Sequence, residues 1–394
     1  MMSNIAVRRL TCTSALGRGM AAMHDALIQA RSGLVAYDCP EAPLETFVGR
    51  TGGLETVAFP EGFEEYDCRN NRLAEMALNE DGFMEAALAA VRAFGAERVG
   101  VVLGTSTSGI GSTEQAYSDH AAGGEIPSPS GFAATHDLAS LSRFVARRLG
   151  ATGPSYTIST ACSSSTRSFS DGARLIAAGL CDAVIVGGVD SLCETSIRGF
   201  NALQLLSSRP CRPNDRDRDG ISIGEAGGFA LLVRASADDP VVLAGIGESS
   251  DAYHMSSPHP EGKGAIAAMT AALETAGLTA GDIGYVNMHG TGSVFNDKVE
   301  DLSIAAVLGT ATPCSSTKGF SGHTLGGAGI LEAAVTLTAL KGGFVPANLN
   351  LGNVDPAFRC RIIRETEQTA MTHAMTNNFG FGGNNCVLIF SIRA

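Results

Sequence analysis

Short apolar runs rich in β-branched residues recur between glycine and aspartate punctuation, at 99–103, 156–159, 183–189, 229–233 and 241–246. They are continuous rather than alternating, which predicts strands buried on both faces. Between them, apolar positions at helical spacing predict helices over 81–94, 138–149 and 163–180. The second part of the chain repeats the theme, with helices expected over 264–276, 299–307 and 330–340 and strands over 283–288 and 386–389. Alternating strands and helices predict an α/β protein. No short-period repeat is present, and two α/β halves, 1–240 and 241–394, are expected to meet near Asp238 to Pro240.

Composition narrows this picture. With 394 residues, 44% hydrophobic and only 17% charged, the chain can bury a large core, which excludes a disordered or linker protein. Against 48 glycines there are only 14 prolines, so tight junctions are expected rather than long spacers. A net charge of -12 repels polyanions, so nucleic acid and anionic membrane surfaces are not expected partners. No stretch approaches the ~18 apolar residues of a membrane span. Residues 1–20 carry Arg8, Arg9 and Arg18 among short apolar pieces and lack the apolar core of a secretion signal, so a soluble cytoplasmic protein is expected. Ten cysteines occur without a CxxC pair, as expected of reduced thiols rather than a zinc or disulfide framework. The segment 207–220, dense in Pro, Asp and Arg, predicts a charged surface loop.

Candidate chemistry starts at Cys162. It follows an apolar strand in ISTACSSS (158–165), and positions 162, 166, 169, 173, 176 and 180 alternate by four and three. That spacing puts Cys162 on the inward stripe of a helix, in its first turn. Free N–H groups and the helix dipole there favour thiolate over thiol. The octet alone fits a small core cysteine equally well. His289 follows a strand in a glycine-rich turn, where its imidazole can reach a cleft; a structural histidine is the plainer alternative. His323 sits in KGFSGHTLGGAG (318–329), whose small residues let a helix start pack close to another backbone, and Glu332 falls on that helix. Lys318, in so apolar a run, requires an anionic partner.

Five segments together, TACSSS (160–165), RDGISIGEAGGFALL (218–232), HGTGS (289–293), KGFSGHTLGGAG (318–329) and NNFGFGGNN (377–385), resemble in kind and order the elongating β-ketoacyl-[acyl carrier protein] synthases. The resemblance covers nearly the whole chain. It implies a thiolase-like fold, two similar α/β halves in a five-layered α-β-α-β-α arrangement. It also implies decarboxylative Claisen condensation of an acyl-enzyme thioester with malonyl carrier protein, in fatty acid or polyene/polyketide chain elongation. Cys162 would accept the acyl group, His289 and His323 would promote decarboxylation, and Lys318 and Glu332 would support them. The backbone N–H groups of Cys162 and Phe381 would form the oxyanion hole, Phe379 the gate, and Thr291, Ser293, Phe200 and Ile110 the substrate and pantetheine contacts. Arg69, Arg72 and Arg209 would dock the carrier protein. No metal or cofactor is implied beyond the phosphopantetheine that carries the substrates.

The family is dimeric through a strand of the amino-terminal half, so a homodimer, or a heterodimer with a chain-length-factor-like subunit, is expected. Ser293 departs from the threonine that commonly ends its motif but keeps the hydroxyl. Two other readings remain: a non-catalytic chain-length-factor-like subunit, which would lack the active cysteine, and a thiolase acting on coenzyme A thioesters. A thiolase would carry a second catalytic cysteine near the carboxyl end, where this chain has FGFGG. The stretches 207–220 and 249–262 lean toward a synthase of the aryl-polyene type.

Overall fold

The structure is a computed structural model and describes residues 5–38, 43–123 and 129–393. At its centre the strands Ile5–Ser14 and Val241–Ser250 run antiparallel, in register through Ile5↔Leu243 and Ala6↔Val242. Each begins its own half-sheet. On one side the order continues through Ala226–Arg234, Ala183–Asp190, Val99–Gly104 and Ser155–Ile158. On the other it continues through Asn384–Ile392, His373–Gly380, Tyr285–Asn287, Pro313–Ser315 and Arg361–Ile362. In both, the first two pairings are antiparallel and the rest parallel, so the chain repeats one topology.

The continuous apolar runs have a direct explanation. Val102, Val184, Val186 and Leu232 face a middle layer, where they meet Phe169, Ile330 and Leu388. Their neighbours Val101, Leu103, Ile185 and Leu231 face outward, onto Leu73, Phe83 and Phe144. Both faces of these strands are covered, so alternation with polar residues disappears. The middle layer holds the helices Ser164–Ala177 and Ala328–Gly342, packed on each other and on the sheet. The second is buried from Ala328 through Leu340 and apolar on every side except at Glu332 and two threonines, as a helix enclosed by the fold must be. At their crossing a Cβ on Gly329 would come within 2.0 Å of Thr166 Oγ1, so only glycine permits the approach. The helices Arg69–Leu78, Phe83–Phe94 and Ser140–Leu149 cover one outer face, and Lys263–Ala276 and Val294–Leu308 the other.

One strand goes unread in the sequence, and one sequence expectation holds only in part. The interrupted apolar pieces of residues 1–20 contain the strand Ile5–Ser14 at the heart of the sheet. The 207–220 segment is a surface loop only in part: Arg209, Arg216, Asp217 and Asp219 are exposed, but Ser207, Cys211, Asn214, Asp215 and Arg218 are buried. The buried charges are matched internally, Asp215 accepting the Gly352 and Asn353 N–H groups and Arg218 pairing with Asp355 at 2.7 Å.

Candidate active site

Cys162 lies on a sharp elbow between the strand Ser155–Ile158 and the helix Ser164–Ala177. Ala161 takes φ +52°, an uncommon conformation for a residue with a side chain. Flanking serines hold it: Ser164 Oγ accepts the Thr160 N–H at 2.9 Å and donates to Ala161 O at 2.6 Å. Cys162 therefore precedes the helix by two residues, rather than sitting in its first turn as the spacing predicted.

His289 follows the strand Tyr285–Asn287, and the N–H groups of His289 and Gly290 donate to the buried carboxylate of Glu300 at 2.8 and 2.7 Å. Burial pushes Glu300 up to about 7, against the pull of those N–H donors and of Asn377. His323 is tied at its backbone to the glycine-rich segment, its N–H donating to Ser222 O and its carbonyl accepting from Gly224 N–H. The RDGISIGEAGG segment thus serves as the brace behind His323.

The three side chains converge. His323 Nε2 lies 3.0 Å from Cys162 Sγ, and the two imidazoles meet edge to face with centroids 5.2 Å apart. Lys318, 2% exposed, extends its ammonium to Glu332, to the His289 carbonyl and, at 3.3 Å, to His289 Nδ1. The anionic partner required of Lys318 is Glu332.

These contacts decide the tautomers. An ammonium only donates, so His289 Nδ1 accepts; the Leu325 N–H donates to His323 Nδ1 at 3.2 Å, so that nitrogen accepts too. Burial, with Lys318 nearby, holds both imidazoles well below the ordinary histidine range, hence neutral. Each must then carry its proton on Nε2. The ligating atoms of Cys162, His289 and His323 lie within 4.8 Å of one another, compact enough for a metal ion. Protonated Nε2 atoms offer it no lone pair, so the donor set fits a cation poorly.

The thiol does not behave as the spacing predicted. Burial pushes Cys162 up to about 11, although the Phe381 and Cys162 N–H groups and the Lys318 charge pull the other way. Desolvation outweighs the amide donors here. Those same N–H groups point at the sulfur from the two elements expected to supply them.

A cavity of about 460 Å³ opens onto the cysteine and both histidines. Phe200, Thr291, Ser293, Phe379 and Phe381 all line it. Phe200 and Phe381 pack at 5.7 Å, and Phe379 lies against His289 at 6.2 Å. Ile110 is elsewhere: it lines a separate cavity with Phe132, His136 and Leu138, because Thr105, Ser106 and Thr107 turn the chain away around the Asp190 carboxylate. Two proposed docking arginines are internally committed. Arg69 is held by Glu225 and Glu55, and Arg72 grips Asp67 through two bonds of 2.6 Å. Arg209 is exposed. Arg212, absent from the sequence expectation, is mostly buried; its Nη2 pairs with Asp219 on the cavity wall at 3.3 Å, and its Nε has no hydrogen-bond partner among the described residues. Glu300 was also absent from the sequence expectation; nothing local distinguishes it from Asp297 and Asp301 on the same helix.

Comparison with known proteins gives the family and the fold. Residues 2–238 match the β-ketoacyl synthase N-terminal domain family and 241–352 the corresponding C-terminal domain family. The 3-oxoacyl-[acyl-carrier-protein] synthase 2 of Vibrio cholerae is 33% identical over 98% of both chains. A mitochondrial 3-oxoacyl-[acyl-carrier-protein] synthase of Arabidopsis thaliana is 38% identical over 63% of this chain and 58% of its own. Among solved structures, the ketosynthase ApeO of Xenorhabdus doucetiae, in complex with its chain length factor ApeC, superposes with a TM-score of 0.93. It is 38% identical and covers 99% of this chain and 98% of its own. The fold is thus the thiolase-like fold of condensing enzymes. The chain belongs to the β-ketoacyl synthase family, and its activity is that of an acyltransferase which condenses acyl and malonyl thioesters. Among the described residues no helix is long and apolar enough to cross a membrane.

Proposed function

We propose that Cys162 is the acyl acceptor and that the two neutral imidazoles carry the decarboxylative half of the reaction. The sulfur attacks the thioester of an acyl carrier protein, the Cys162 and Phe381 N–H groups hold the developing oxyanion, and the departing pantetheine sulfur takes up the thiol proton. Malonyl carrier protein then enters. The Nε2–H groups of His289 and His323 donate to its thioester carbonyl and stabilise the enolate formed as carbon dioxide leaves. The enolate carbon attacks the acyl group on Cys162, and the sulfur departs and is reprotonated. Decarboxylation itself supplies the carbanion, so the reaction calls on the protein for orientation and electrostatics rather than for a cofactor. Lys318 and Glu332 are positioning residues that fix the His289 tautomer; Phe379, against His289, is the gate.

What supports this reading is one observation: a sulfur and two Nε2–H donors face the same chamber. Cys162→Ala is expected to abolish both acyl labelling and condensation, whereas His289→Ala and His323→Ala keep transacylation and lose product. Ketoacyl product made by Cys162→Ala from acyl and malonyl carrier proteins would overturn the assignment.

We also propose that 1–240 and 241–394 are the two units of the fold, and that the chain works with a second subunit, a copy of itself or a chain-length-factor-like partner. Phe200, Phe295, Phe379 and Phe381 around the chamber suit a flat unsaturated acyl chain, favouring a polyene over a saturated fatty acid. Mass spectrometry of the acyl group trapped on Cys162 tests this; a saturated chain refutes it.

A further inference from the structure

The strand Ile5–Ser14 is buried along its length except at Arg8 and Arg9. Side chains of a strand alternate, so adjacent exposed residues require an irregularity. It is present: the register with Ala226–Arg234 slips between Val7 and Arg9, a bulge that turns both arginines out of the sheet.

They open on a groove of about 530 Å³ that shares no lining residue with the Cys162 chamber. Its floor is apolar, with Leu10, Met20, Val241 and Leu337, and its rim carries Arg9 and Lys341. Arg8 is engaged by Asp239. Asp81, also at the groove, already accepts from Thr11 Oγ1 at 2.8 Å and from the Met20 N–H. The Arg9 and Lys341 side chains have neither a hydrogen bond nor an ion pair among the described residues. Partial burial and the repulsion of Arg9 hold the Lys341 ammonium below the ordinary lysine range. Two unpaired like charges side by side on a chain of net charge -12 are a cost that a bound anion would relieve.

We propose that this groove binds a fatty carboxylate, its head between Arg9 and Lys341 and its tail along Leu10, Met20, Val241 and Leu337. The guanidinium fork matches a carboxylate, and the floor offers apolar surface that a small inorganic anion would leave uncovered. A cleft of this volume is in the range of small-molecule sites. The groove gives the protein a place to bind free acyl chains, the hydrolysis products of acyl thioesters, apart from its chemistry. It does not rest on the catalytic reading.

The test is calorimetric titration of the full chain with dodecanoate, before and after Cys162 is alkylated with iodoacetamide. Saturable binding is expected in both forms, weakened at least tenfold in Arg9→Gln/Lys341→Gln, whose melting temperature and condensation rate without dodecanoate match the parent. Dodecanol and inorganic phosphate are expected not to bind there. Equal affinity in the double variant, or equal binding of dodecanol, would remove the two cations from the site; phosphate binding as tightly as dodecanoate would remove the apolar floor. Loss of binding on alkylation would move the ligand into the chamber, and displacement of dodecanoate by an acidic carrier protein would reassign the groove to that partner.

Discussion

At Cys162 two influences oppose each other, and burial wins: the thiol is pushed up to about 11 despite two amide donors and the Lys318 charge. Below that value the thiolate fraction grows tenfold with each pH unit. Alkylation of Cys162 by iodoacetamide should therefore accelerate roughly tenfold per unit from pH 7 to 9, in proportion to thiolate. A rate already flat at pH 7 would mean that the amide donors dominate. The histidines shift the other way. Held below their ordinary value, they stay neutral at pH 7; protonation would fall on Nδ1 and remove the acceptor that meets Lys318 in His289 and the Leu325 N–H in His323, and because both groups resist it, decarboxylation should not weaken as pH falls through about 6.5. The identities of Cys162, His289, His323 and Lys318 were legible because each stands in a motif of small residues. Their protonation states were not: they depend on Leu325 N–H and on burial by distant segments.

Among elements, strands covered on both faces were the most legible, since double burial leaves an unbroken apolar run. Ile5–Ser14 escaped because its bulge places Arg8 and Arg9 in mid-strand. The 207–220 segment misled for a related reason: local composition reports charge but not its partners. Asp297 lies fully buried, receiving the Asn214 N–H at 2.9 Å and the Gly292 N–H at 3.2 Å, with Arg218 Nε 3.7 Å away. Burial raises the Asp297 carboxyl, and the Arg218 charge draws it back. Arg218→Met should thus cost about 3–5 kcal/mol in urea unfolding, the range for breaking a buried pair from one side. Arg216→Ala, an exposed change in the same segment, should stay within about 0.5 kcal/mol. Equal effects would return the segment to the surface-loop reading.

At the scale of the molecule, a chain of net charge -12 that receives an acidic carrier protein needs local positive charge near the chamber. Arg69 and Arg72 are spent on internal pairs and Arg212 is mostly buried against Asp219, which leaves Arg209, exposed. Arg209→Glu should raise KM for the carrier protein several-fold with kcat little changed, and should flatten the salt dependence of KM. Unchanged KM and salt dependence would take Arg209 out of the interface.

The remaining edge of the amino-terminal half-sheet points to the second subunit. In Ser155–Ile158 the carbonyls of Pro154 and Ile158 bond inward, to Val101 and Thr105 N–H groups. By alternation, Ser155 and Thr157 direct their backbone groups to the open side of the sheet. Half-buried residues and unpaired amides on an edge invite another strand, and a twofold axis there would extend one sheet across two subunits. Thr157→Pro removes an outward N–H and one hydroxyl bond to Ser142 while sparing the inward ladder. Sedimentation should show the parent as a dimer, or as a complex with its chain-length-factor-like partner, and the variant as a folded monomer with reduced condensation. A variant that stays dimeric would place the interface on another face.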